Sequence, residues 1–127
     1  MYTFKKEERL CNKKLINGLF HNGSSFLCYP FRVSWMYTAE EQLYPVQVVF
    51  AVSKKRYKHA VDRNVVKRRM REAYRLNKHQ ILYQHLNDSG KRLILSVNYI
   101  GKEIAQYDFF EKKMVKLLAQ LAAEATK

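Results

Sequence analysis

The chain has 127 residues, with 24 Lys and Arg against 11 Asp and Glu, a formal net charge of +13. That length fits one domain spanning 1–127, and 47% hydrophobic residues with nine Tyr and seven Phe supply a core, which excludes disorder of the whole chain. Only four Gly and two Pro exclude collagen-like and low-complexity classes, and so large a cationic excess calls for a polyanionic partner, nucleic acid before an acidic membrane surface.

In chain order, the first segment, MYTFKKEERL, has no apolar signal-peptide core. Residues 12–21 read as a short helix that Asn12 caps, with Leu15, Ile16, Leu19 and Phe20 on one face. Asn22-Gly23 is expected to end it through a left-handed cap. From Ser25 to Tyr37 the chain reads as extended: Phe31, Val33, Trp35 and Tyr37 alternate with Arg32, Ser34 and Met36, and Pro30 breaks the run or marks an edge. Thr38 to Pro45 is a polar, acidic connection. Val46 to Val52 is a second strand, apolar on both faces towards its end and so expected at the centre of a sheet. Residues 60–78 are the strongest helical candidate. Arg92 to Tyr99 is a further strand, introduced by the turn signal Asn87-Asp88-Ser89-Gly90. Residues 107–124 form a last helix with Phe110, Met114, Leu117, Leu118 and Leu121 in a stripe. This order predicts an α+β sandwich in which helices cover a small sheet.

No apolar run approaches the roughly 18 residues of a spanning helix, so a soluble, cytoplasmic protein is expected. Cys11 and Cys28 form no disulfide framework and lack the spacing of a zinc site; they read as reduced small residues. No catalytic constellation stands out. His21, His59, His79 and His85 are dispersed, His79 and His85 being six apart rather than the four that aligns two ligands on a helix. Glu40 and Glu41 read as solvated charges in a polar loop. No metal ligands on the protein are predicted.

The segment from Lys54 to Lys78 holds 11 of the 24 cations in 25 residues, against the two acids Asp62 and Glu72. On a wheel of about 100° per residue with Arg63 at zero, Lys67, Lys78, Arg71, Arg75 and Arg68 fall between about 40° and 140°, with Asn64 inside the arc. Val66, Met70 and Ala73 gather on the opposite side, and Arg69 points off the arc. The apolar face is expected to dock on the sheet and the cationic face to remain in solvent. Like charges at i,i+4 disfavour such a helix by a few tenths of a kcal/mol per pair, about 0.2–0.5, which makes sense where phosphates occupy the face. The same self-repulsion predicts anion-dependent folding. A solvated helix face would mix signs. A DNA recognition helix would follow another helix across a short turn, whereas this one follows a strand and the basic loop Ser53 to His59. Phosphate and sugar contacts therefore point to shape recognition of a folded RNA.

The run AVSKKRYKHAVDRNVVKRRMREAYR resembles the signature of the bacterial ribonuclease P protein subunit. The matching residues are Ser53-Lys54-Lys55 after a strand, then Arg63-Asn64, Lys67-Arg68 and Arg71-Glu72 along the helix. Arg9-Leu10 and Leu19 to Gly23 resemble the family's opening helix and turn. Two departures stand out. The motif usually reads Arg-Asn-Arg, whereas this chain has Val65 third, with Arg69 as the candidate replacement; and Ile16 stands where an aromatic residue is often found, while Phe20 remains. The resemblance implies a two-layer sandwich of about four strands in a mixed sheet with about three helices, a left-handed βαβ crossover and a ribosomal protein S5 domain 2-like fold. It also implies a division of labour. A catalytic RNA cleaves precursor tRNA with bound divalent metal (Mg2+) and leaves the mature 5′ end. The protein, one per RNA, binds that RNA and holds the single-stranded 5′ leader between the sheet and the first helix.

On this basis Arg63, Asn64, Lys67, Arg68, Arg71 and Arg75 are the expected contacts to the catalytic RNA. Phe20, Phe31, Arg32, Ser34, Trp35, Lys54 and Lys55 are the candidates for the leader, aromatic faces stacking unpaired bases and cations following the backbone. For Phe31 and Trp35 the strand alternation equally allows a place in the core. A ribosomal-type structural RNA-binding protein is the alternative that composition alone leaves open.

Overall fold

The computed structural model describes residues 3–38, 42 and 44–126. Glu40 and Glu41 lie outside them. A short 3-10 turn at Lys6–Glu8 precedes α1 (Lys13–Asn22), β1 (Ser24–Cys28), β2 (Phe31–Tyr37), β3 (Val46–Val52), α2 (Ala60–Lys78), a π-helical turn (His79–Tyr83), α3 (Gln84–Ser89), β4 (Leu93–Tyr99) and α4 (Tyr107–Ala125). The strands form one mixed sheet in the order β1-β2-β4-β3. β1 with β2 and β2 with β4 are antiparallel, while β3 and β4 run parallel and are joined across the sheet by α2. The fold is thus α+β, with a four-stranded mixed sheet and helices layered on it.

The period of two along each strand divides the sheet into two faces. Phe31, Val33 and Trp35 of β2, Val46, Val48 and Phe50 of β3, and Leu93, Leu95, Val97 and Tyr99 of β4 are all buried on one face. Against them α2 presents Val66, Met70, Ala73 and Tyr74, and α4 presents Phe110, Met114, Leu117, Leu118 and Leu121, the predicted stripe. The other face is covered only in part. There α1 lays Leu19 on Ile94, with Leu10, Leu15, Ile16, Met36 and Val49 around them.

Four expectations are corrected. β3 is an edge strand, not a central one; β2 and β4 hold the centre. Its apolar outer side is explained by the N-terminal segment, where Arg9 bridges to Val48 and the Leu10 N–H donates to the Val48 carbonyl at 2.9 Å. Gly23 ends α1 in extended backbone, φ −76°, not in the left-handed region. A glycine is needed there for room, because a Cβ would stand 2.5 Å from the Leu19 carbonyl oxygen. Asn87 to Ser89 are helical, and only Gly90, φ 70°, makes the left-handed stop. Finally, Lys78 leaves the cationic arc for the interior, 2% exposed. Its ammonium pairs with Glu8, donates to the Thr3 carbonyl and lies over the rings of Phe4, Tyr74 and Tyr83. Tyr83 donates to the same carboxylate at 2.8 Å. Burial lowers the Lys78 pKa, and the Glu8 bond pulls it back up. The wheel missed this because its angles carry no information about the segment that folds over the end of α2.

Candidate nucleic-acid interface

α2 begins where the loop 53–59 leaves β3, and it docks through Val66, Met70, Ala73 and Tyr74. That docking turns the predicted arc outward. Asn64, Arg68 and Arg71 are exposed, and Arg63, Lys67 and Arg75 are half-buried. Arg63 also ties the preceding loop, its guanidinium donating to the Tyr57 and Lys58 carbonyls at 2.8 Å each. Arg75 is bonded to Glu72, its Nε donating at 3.1 Å. That bond holds the Glu72 carboxyl below its ordinary pKa and raises that of Arg75. Glu72 therefore tempers the cationic face at its C-terminal end, and Arg68 and Arg71 stand as its most open charges.

A residue missed from the sequence adjoins this face. Arg9 lines a crevice of about 200 Å³ together with Arg71, Phe4, Cys11 and Val49. Its guanidinium carbon lies 5.5 Å from the centre of the Phe4 ring. The signal was present in Arg9-Leu10, but nothing in spacing brings position 9 beside position 71. Arg69, the expected replacement for the arginine absent at Val65, does not join the arc. It is half-buried and donates to the Ala105 carbonyl ahead of α4.

The sheet face that α1 leaves partly open carries the second set. Phe20 projects from α1, 54% exposed, and Arg32 is exposed on β2, with Ser34 half-buried beside it. Lys54 and Lys55 are exposed in the loop after β3. Phe31 and Trp35 are corrected: they lie on the other face, 0% and 6% exposed, packed in the core. Phe31 sits 5.9 Å from Phe110 and Trp35 edge-on to Tyr37 at 5.2 Å, so neither ring offers a surface to a base on the open face. The alternation that suggested an aromatic strand was that of core residues. Leu27, 60% exposed and paired in register with Arg32, extends the open face instead.

Both cysteines are free. Among the described residues no group of three or more His, Cys, Asp or Glu side chains is gathered for a metal ion, and no helix is long and apolar enough to cross a membrane. The arrangement is suited to contacting phosphates and stacking bases.

The family model described as Ribonuclease P matches residues 4–122. The ribonuclease P protein component of Porphyromonas gingivalis is 35% identical over 121 residues, spanning 95% of this chain and 88% of the relative. That of Chlorobium phaeobacteroides is 35% identical over 127 residues, spanning 91% and 86%. Among solved structures, the RNase P protein from Thermotoga maritima superposes with a TM-score of 0.70 at 24% identity, over 89% of this chain and 96% of its own. The Staphylococcus aureus RNase P protein gives 0.66 at 21%, over 91% and 94%. At such identities the structural likeness concerns the fold.

Proposed function

This chain belongs to the ribonuclease P protein family, and from that premise we propose that it is the RNA-binding protein subunit of an endoribonuclease that removes the 5′ leader of precursor tRNA in the cytoplasm. The observation that carries the reading is the outward face of α2, where Arg63, Asn64, Lys67, Arg68, Arg71 and Arg75 share one side of a helix whose other side is core. Arginine forks match phosphate oxygens and gain by counterion release, so this face binds the catalytic RNA, one protein per RNA. In this reading the chemistry and its divalent ions belong to the RNA. Neutralised phosphates let the two RNAs approach at lower magnesium.

The leader lies on the open sheet face, with Phe20 on one wall, Arg32 and Ser34 on the floor, and Lys54 and Lys55 at the end of β3. Stacking on Phe20 and cationic contacts to the backbone demand little of the leader sequence. Reconstitution tests this. Adding the protein to ribonuclease P RNA at low magnesium and moderate salt should increase cleavage of precursor tRNA at the mature 5′ end. No increase, with the protein shown to be folded, would exclude the reading.

A further inference from the structure

At the end of the sheet where β3 and β4 finish, a crevice of about 320 Å³ opens between the β1–β2 turn and the start of α4. Three aromatic rings line it. Tyr29 in the turn is 53% exposed, Phe109 on α4 is 36% exposed, and Tyr99 forms a buried wall. The wall is held fixed. Tyr99 stacks on Phe110 at 5.1 Å and 13°, and its hydroxyl donates to the Glu103 carbonyl at 2.5 Å. Gly101 lies against that ring so closely that a Cβ would meet its oxygen at 2.5 Å. None of these contacts uses the rings of Tyr29 or Phe109.

The charge around the crevice is cationic. Lys102 lines it, and the Lys113 ammonium lies 5.5 Å from the centre of the Phe109 ring. The basic loop after β3 is fastened to the same place: the Tyr57 hydroxyl donates to the Gly101 carbonyl at 2.7 Å, and Arg56 donates to the Ile100 carbonyl at 3.3 Å. Lys54 and Lys55 lie in that loop. The open sheet face runs up to the crevice from the other side, since the pair Leu27 and Arg32 stands two residues from the Tyr29-Pro30 turn. The Glu103 carboxylate is the one acid on the lining.

We infer that this crevice is a nucleobase subsite, in which an unpaired base of the precursor leader stacks on Tyr29 and Phe109 after the strand has crossed Arg32 and the basic loop. The inference rests on the leader reading above. The catalytic RNA is the less suitable source, because its proposed contacts lie on the opposite flank of α2 from Arg69, whose guanidinium holds the Ala105 carbonyl at the crevice rim. A flat wall fixed by Phe110 and two exposed rings fit a planar, sequence-tolerant ligand, and the lysines fit its phosphate.

The test measures dissociation constants of the holoenzyme for two substrates, a precursor with a long leader and the same tRNA without one. In the double variant Tyr29→Ala, Phe109→Ala, binding of the long-leader substrate should weaken about 5- to 160-fold, the span expected for one lost base–aromatic stack. Binding of the leaderless tRNA should not change. Tyr29→Phe, which keeps the ring, should bind as the parent does. Both replaced side chains are exposed, and a thermal melt of the variant confirms that it folds. Unchanged long-leader binding, or equal weakening for both substrates, would overturn the inference. If the parent holoenzyme binds the two substrates equally, the leader reading fails as well; if only the variant's discrimination matches the parent's, the groove stands and the crevice falls.

Discussion

Glu8 and Lys78 make a buried ion pair 70 positions apart, and each makes further hydrogen bonds. Glu8 accepts from Lys78, Tyr83 and the Lys5 N–H, and Lys78 also donates to Thr3. A buried pair gains little over an apolar substitute, but a single broken partner is costly because a lone charge remains in the interior. Glu8→Gln should therefore destabilise the protein by about 3 kcal/mol, read from urea denaturation, against a cost of about 3–5 kcal/mol typical of such losses. A change below about 1 kcal/mol would mean that water reaches Lys78 and that the pair does not hold the segment. The sequence marks Lys78 as one more cation at an arc position. Its fate is decided by a partner 70 positions away in the chain, with α1, three strands and most of α2 between them, which no local period records.

At the scale of the element, α2 divides its cations by task. Arg63 ties the loop before the helix, Arg69 ties the loop before α4, Arg75 is engaged by Glu72, and Lys78 is internal. Arg68 and Arg71 are left as the exposed charges, with Lys67 half-buried. Each should remove one phosphate contact when replaced, so Arg68→Ala and Arg71→Ala should each flatten the slope of log affinity against log salt by about 0.7–0.9 and weaken RNA binding without regard to sequence. Arg69→Ala should leave that slope in place. Filter binding of the ribonuclease P RNA across salt concentrations reads both, and an undiminished slope for Arg68→Ala would remove α2 from the interface. Much of this element was legible. Its bounds, 60–78, and its buried side follow from a period of 3.6 and the apolar spacing. The individual partners of its arginines were not, because backbone carbonyls 36 residues away have no sequence signature.

For the whole molecule, the formal charge of +13 sits on a fold whose acids are few and partly enclosed. The folded state gathers cations that the unfolded chain spreads out, so any anion that settles on them favours folding. Sulfate at about 100 times its dissociation constant should stabilise by about 2.7 kcal/mol, a rise in thermal midpoint on the order of 10 °C for a domain of this size. Chloride at equal ionic strength should do markedly less. Equal midpoints in the two salts would show that the cations are already accommodated by the fold itself. Layering could be read from the alternation of apolar periods, but alternation alone leaves open whether Pro30 splits the first extended run, which the structure divides into β1 and β2. Strand order could not: β3 looks central by its side chains and is an edge that the chain's own start covers. The same limit governs Phe31 and Trp35. Alternation states that they share a face, and only the positions of α2 and α4 state which face that is.

The N-terminal segment has a geometric consequence for the proposed leader groove. Residues 3–10 are bolted at one end to Lys78 and laid along β3 at the other, and α1 starts three residues after Leu10, which hands its N–H to Val48. At its far end α1 is stopped by Gly23, which fits against Leu19 with no room for a side chain. The helix that bears Phe20 is thus clamped like a rail at both ends, and the gauge between it and the sheet is set by contacts within the protein. A groove built this way keeps its width before any RNA arrives.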